Sequence, residues 1–79
     1  IFSIYPNPVQ EIMNIKSLEE LRGVKIIFEN LLGQKIFEDT LNFVVGENPI
    51  NIQYLLQGIY TMYVVKNHDV LLVKKVVKK

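Results

Sequence analysis

Gly58-Ile59-Tyr60-Thr61-Met62-Tyr63-Val64-Val65 decides how this chain folds. A glycine followed by an unbroken run of aromatic, β-branched and apolar residues has the composition of a strand packed on at least one face. Side chains alternate across a strand, so Tyr60, Met62 and Val64 share one face and Ile59, Thr61, Tyr63 and Val65 the other. The first set is assigned to the core and the second to a partly covered surface. This stretch is the expected central strand, and Gly58 is expected where the chain turns sharply into it.

Downstream, Asn67-His68-Asp69 is a turn signal, and Val70 to Val77 reads as the last strand, closing a hairpin. Upstream, Ile50-Asn51-Ile52 alternates, while Gly46-Glu47-Asn48-Pro49 reads as a loop. Val24-Lys25-Ile26-Ile27-Phe28-Glu29 alternates clearly, placing Val24, Ile26 and Phe28 inward. It is joined to Lys35-Ile36-Phe37-Glu38-Asp39 by Asn30-Leu31-Leu32-Gly33-Gln34, a length that suits a type I turn closed by a left-handed glycine. Ser17 could cap one helical turn, but Gly23 ends it at once, so Leu18 to Gly23 is read as a loop or bend. In Ile12-Met13-Asn14-Ile15 the strand is clear, although Ile12 and Met13 compete for the inward position. Phe2 to Val9 is a short strand stopped by Pro6 and Pro8, each of which fixes its own φ, giving a stiff corner.

About seven short strands, with turn signals near every ten residues and no convincing helix, argue for an all-β fold: an immunoglobulin-like antiparallel β-sandwich. A small open barrel is the alternative. The 79 residues suffice for one domain and not for two. A chain this short buries only about 60% of its unfolded surface, so every strand must contribute to one shared core and little scaffold remains for a deep cleft. Hydrophobic residues make up 49%, but in short alternating runs, well below the roughly 18 consecutive apolar residues of a spanning helix. Stable membrane insertion is therefore not expected. The chain begins at Ile1 without a basic and apolar leader, and it is read as a domain excised from a longer protein.

The chemical inventory is short. There is no cysteine, so disulfides, thiolate metal sites and a cysteine nucleophile are excluded. The one histidine, His68, falls in a turn beside Asp69 and cannot assemble a triad or a metal site without distant ligands. Glu19-Glu20 and Glu38-Asp39 are adjacent on extended chain and point to opposite sides, so neither forms an acid/base pair. The glycines are isolated, which rules out a phosphate-cradling loop. No catalytic, cofactor-binding or metal-binding residue is assigned, and the chain is read as a non-enzyme. Net charge is +1, yet Lys74, Lys75, Lys78 and Lys79 crowd the end. Such lysines protect an exposed sheet edge from aggregation, or bind an acidic partner. Nucleic acid is disfavoured, because the rest of the chain carries no basic stripe with interleaved aromatics.

Taken together, Tyr5-Pro6-Asn7-Pro8, Val24 to Glu29 with Gly33-Gln34-Lys35-Ile36, Ile50-Asn51-Ile52 with Leu55, Gly58-Ile59-Tyr60 and the lysine-rich end form an ordered set. The set resembles the type A C-terminal sorting domain of the type IX secretion system, from residue 2 to residue 79. Each motif alone is weak; their order and spacing make the combination specific. The resemblance matches Pro6, Asn7 and Pro8 to the family's N-terminal signature and Gly33 to its hairpin glycine. It matches Gly58 and Tyr60 to its Gly-x-Tyr strand start, and Lys74, Lys75 and Lys78 to its basic terminal strand. The chain departs from the family at Glu29-Asn30, where an aspartate is more usual, and in carrying Lys79 beyond the expected end.

The resemblance implies an immunoglobulin-like address tag, with no cofactor, at the end of a cargo protein of a Gram-negative bacterium. It implies export through the periplasm and the outer-membrane translocon to the cell surface or extracellular space. A sortase-like peptidase then removes the tag, in many cases attaching the cargo to an anionic lipopolysaccharide. Lys74, Lys75, Val76, Val77 and Lys78 are the candidate translocon-recognition residues, and Pro6, Asn7, Pro8, Gly33, Gly58 and Tyr60 are mainly structural. The competing reading is a carbohydrate-binding or adhesive immunoglobulin-like module, which requires Phe43, Tyr54 and Tyr63 to be exposed together.

Overall fold

The alternating pattern around Tyr60 resolves, in a computed structural model that describes residues 2–79, into seven strands in two antiparallel sheets. The strands are β1 (Phe2–Tyr5), β2 (Ile12–Ser17), β3 (Leu21–Glu29), β4 (Lys35–Phe43), β5 (Gly46–Asn51), β6 (Gly58–Lys66) and β7 (Asp69–Lys78). One sheet has the order β1-β2-β5 and the other β4-β3-β6-β7, the three-plus-four division of an immunoglobulin-like sandwich. β6 lies inside the larger sheet, between β3 and β7, as the central strand.

A single core fills the space between the sheets. Met13, Ile15, Ile50 and Ile52 meet Val24, Ile26, Phe28, Tyr60, Met62, Val64 and Val76, with Val9, Phe43 and Leu55 closing its margins. Tyr60, Met62 and Val64 are inward as expected, and Ile59, Thr61, Tyr63 and Val65 form the outer, partly covered face. On β2 the inward residues are Met13 and Ile15, leaving Ile12 exposed. Edge-to-face aromatic pairs reinforce the packing, Phe28 with Tyr60 at 6.1 Å and Phe28 with Phe37 at 5.6 Å. Phe2 of β1 meets Phe43 of β4 at 5.8 Å, tying one sheet to the other. The Tyr60 hydroxyl donates to the Leu56 carbonyl at 2.6 Å, four residues upstream. It thereby pins the crossing into β6, as the tyrosine corner does in this fold.

Two expectations are corrected. Gly46 to Asn48 and Pro49 are not a loop but most of β5. β5 is an edge strand, where the missing proline N–H costs no ladder bond on the open side. The inward position within that stretch is taken by Asn48, a polar residue that hides the apolar alternation. Its Oδ1 accepts the Val44 N–H at 2.9 Å, and its Nδ2 donates to the carbonyls of Ile15 at 3.1 Å and Val44 at 3.0 Å. Asn48 thus holds the β4–β5 crossing against β2 although it is only 5% exposed.

The Leu18–Gly23 bend is shorter than expected, because β3 already starts at Leu21. The Ser17 hydroxyl donates to the Glu19 carbonyl at 2.7 Å and closes the bend without a helical turn. Gly23, at φ 65°, forms a bulge in β3 whose N–H is taken by Asn42 Oδ1 at 3.0 Å. Gly58 is the first residue of β6, directly after the expected bend, which falls at Gln57; its backbone is outside the left-handed region, so the bend does not draw on glycine's conformational freedom. A Cβ there would meet Tyr60 at 3.9 Å, an ordinary contact.

Candidate recognition edge

The terminal strand starts from a tight hairpin in which Asn67 and His68 adopt φ of 52° and 69°. Two consecutive left-handed residues match the twist of the flanking strands. His68 is exposed in this turn, and no cluster of metal-ligating side chains forms among the described residues. β7 then pairs with β6 from Asp69 to Lys78, with an irregularity opposite Val64 and Val65. It is the last strand of its sheet, so one side of its main chain faces away from β6.

Alternation sorts the candidate residues into two faces. Val76 pairs with the inward Tyr60 and is fully buried, and Lys74 and Lys78 share its side of the strand. Lys75 and Val77 lie on the outer face, Lys75 exposed and Val77 half-buried. The terminal lysines are therefore not one solvated row. Lys74 and Lys75 are exposed, whereas Lys78 is only 6% exposed, its stem packed at the core margin and its ammonium donating to the Lys79 carbonyl at 3.1 Å.

The outer edge of β7 meets the segment that follows β1. Val9 is fully buried, its N–H donates to the Val77 carbonyl at 2.8 Å, and its carbonyl accepts the Lys79 N–H at 2.8 Å. These two bonds make one rung of a parallel ladder. Asn7 adds a second with its side chain: Nδ2 donates to the Lys75 carbonyl at 3.1 Å and Oδ1 accepts the Val77 N–H at 3.0 Å. Pro6 and Pro8 flank it, exposed, after cis Tyr5-Pro6 and Asn7-Pro8 bonds. The stiff corner read from the two prolines is thus also a strap across the terminal strand. Nothing local in the sequence points from Asn7 to a partner some seventy residues on.

The remaining candidates are structural in the way their residue types require. Gly33, at φ 80°, closes the β3–β4 turn, its N–H donating to the Asn30 carbonyl at 3.0 Å. Asn30 Oδ1 accepts the N–H groups of Leu32 and Gln34, each at 3.0 Å, so asparagine performs the turn-closing role of an aspartate. On the outer face Lys35, and to a lesser degree Lys25, hold the Glu38 carboxyl below the usual carboxylate range, chiefly through the Lys35 hydrogen bond. The Tyr63 hydroxyl donates to Glu29 at 3.2 Å, and that bond pushes its pKa up. The aromatic platform needed by an adhesive module does not form. Phe43 is a core residue at 2% exposure, Tyr63 lies half-buried on the outer face, and Tyr54 is exposed beside Phe37. What the edge offers chemically is main-chain hydrogen bonding flanked by ammonium groups.

In comparison with known protein families the chain matches the model described as the secretion system C-terminal sorting domain over residues 3–79. No curated protein matches the chain. The match covers essentially the whole chain, which therefore belongs to this family, the C-terminal sorting domains of type IX secretion.

Proposed function

We propose that this member of the sorting-domain family is a removable address tag, read chiefly through its terminal strand Lys74–Lys78. The tag is the C-terminal domain of a longer cargo protein and travels with it through the periplasm to the outer-membrane translocon. A sortase-like peptidase then cuts it from the cargo at the cell surface. The observation that carries the reading is the family match over residues 3–79. The geometry supports it: β7 ends its sheet, keeps part of its outer main chain open, and bears Lys74 and Lys75 in solvent. Strand addition at such an edge draws affinity from main-chain bonds and specificity from alternate side chains. Lysines beside it favour an acidic receptor and speed encounter in a salt-dependent way.

The test is a reporter that carries a periplasmic export signal and is fused ahead of this chain, expressed in a bacterium with a type IX system. Reporter at the surface or in the medium, shortened by the mass of the tag, is the expected result. Retention in the periplasm of the competent strain would overturn the sorting role; surface display at full length would overturn the removal step alone.

A further inference from the structure

The outer edge of β7 is occupied along only part of its length. Both main-chain groups of Val77 point away from β6, since its N–H goes to Asn7 and its carbonyl to Val9. Strand alternation puts the groups of Lys75 and Val73 on the same side. The Lys75 carbonyl is taken by Asn7 Nδ2, whereas the Lys75 N–H and both groups of Val73 face no strand. The Asn7 carboxamide stands one step along β7 from the Val9 rung and reproduces its pattern, donating to one carbonyl and accepting from the N–H two residues on. A side chain here does what a neighbouring strand's peptide group would do.

We propose that the Asn7 carboxamide is a displaceable rung, and that the edge from Val73 to Val77 receives in its place a short, extended, acidic segment of a partner protein, while Val9 stays docked. The inference rests on the sorting reading and names what β7 would bind. Three features select this occupant. An incoming main chain can satisfy the Val73 and Lys75 groups that Asn7 cannot reach, along with those it vacates. Release is local, because Pro6, Asn7 and Pro8 are exposed whereas Val9 is buried in the core. Charge then chooses between segments: Lys74 and Lys75 flank the edge, and the ion pairs among the described residues use Lys25 and Lys35 instead. Val73, at 55% exposure, and the half-buried Val77 offer apolar contacts at alternate positions between the charges.

The experiment uses the isotope-labelled 79-residue chain and two capped peptides, one alternating glutamate with valine and the other lysine with valine. The glutamate peptide should shift and protect the amides of Val73, Lys75 and Val77 and release the Asn7 side-chain amide to solvent. The lysine peptide should not. Asn7→Ala removes the competitor and should tighten capture at least about fivefold, the factor that the lower limit for the rung's two hydrogen bonds gives when they no longer compete. Asn7→Asp keeps the acceptor but replaces the donor with a carboxylate, which repels the glutamate peptide, so it should tighten capture less. Capture at the β4 or β5 edge, equal binding of both peptides, no binding, or unchanged affinity in Asn7→Ala would overturn the proposal. None of these results bears on export of the fused reporter, so the sorting reading stands or falls separately.

Discussion

Asn7 accepts the N–H of Val77 at 3.0 Å across a sequence separation of 70 residues, while its amide donates to Lys75. The two ends of the chain are therefore joined by a side chain that closes one rung of a ladder. Two neutral hydrogen bonds at the surface contribute about 0.5–1.5 kcal/mol each. Asn7→Ala should lower stability by about 1–3 kcal/mol, and Asn7→Asp should recover at most half, since its carboxylate faces the Lys75 carbonyl. Denaturant unfolding measures the loss, and faster exchange confined to the Val77 amide locates it. An unchanged Val77 exchange rate would show that the rung does not form in solution.

Tyr60 joins two contributions that substitutions can separate. Its ring packs on Phe28 in the core, and its hydroxyl holds Leu56. Tyr60→Ala should cost about 3–5 kcal/mol, as large aromatic truncations do. In a domain this small such a loss can abolish folding. Tyr60→Phe should cost only about 1 kcal/mol, the value of a single hydrogen bond. Equal losses in the two variants would mean that the corner bond, rather than the ring, carries the strand.

Much of the fold was legible because apolar residues sit at every second position where strands face the core. Val24, Ile26 and Phe28, with Tyr60, Met62 and Val64, gave the larger sheet directly. Only the Ile50-Asn51 end of β5 was legible, because the inward residue of its first part is Asn48, held by hydrogen bonds that no local pattern announces. The recognition edge was legible in part. The terminal lysines read as one basic tail, but strand alternation separates exposed Lys75 from buried Lys78, and a period of two carries no information on where a strand end tucks in. Asn7 shows the deeper limit: a side chain that bonds main chain across the whole sequence leaves no periodic trace at either end.

Asn48 follows as a prediction from that hidden role. Removing its carboxamide leaves the Val44 N–H and the Ile15 and Val44 carbonyls without this partner. The Ile15 carbonyl is the buried one and costs about 1–3 kcal/mol when left unsatisfied, whereas the Val44 groups can turn to water, so Asn48→Ala should destabilise by about 1–3 kcal/mol. Asn48→Asp should be similarly harmful, since it keeps the acceptor but loses the donors. Thermal unfolding with either variant unchanged would refute the assignment.

Tyr63 predicts an alkaline effect. Its hydrogen bond to Glu29 raises the phenol's pKa in the folded state, so its contribution is complete below the ordinary tyrosine value near 10 and is lost as pH rises through the raised one. The pKa of Tyr5 is raised as well, chiefly by burial and then by Glu47, so phenolate absorbance should show a late component that loses one tyrosine's amplitude in Tyr63→Phe and partly returns toward the ordinary value in Glu29→Gln. Identical titrations of the wild type and Glu29→Gln would show that the carboxylate is not the cause.

The lysines of β7 can be divided by burial, and the division predicts different readouts. Lys74 and Lys75 are exposed and make no ion pair among the described residues, so replacing both with glutamine should change stability by under about 0.5 kcal/mol, as surface substitutions usually do. If charge on this strand is the address, export of the fused reporter should fall all the same, with reporter accumulating in the periplasm. Lys78 behaves differently because its stem covers the core margin. Lys78→Gln should lower the thermal midpoint before it alters export, whereas Lys78→Met, which keeps the stem and removes the charge, should preserve the midpoint. Deleting Val73 to Lys79 should abolish both fold and export, since it removes the buried Val76 and the strand that pairs with Tyr60. Normal surface display of the Lys74→Gln/Lys75→Gln variant, at an unchanged midpoint, would rule out an address read by exposed charge. The translocon would then have to read the main chain of the β7 edge or the apolar side chains of Val73 and Val77.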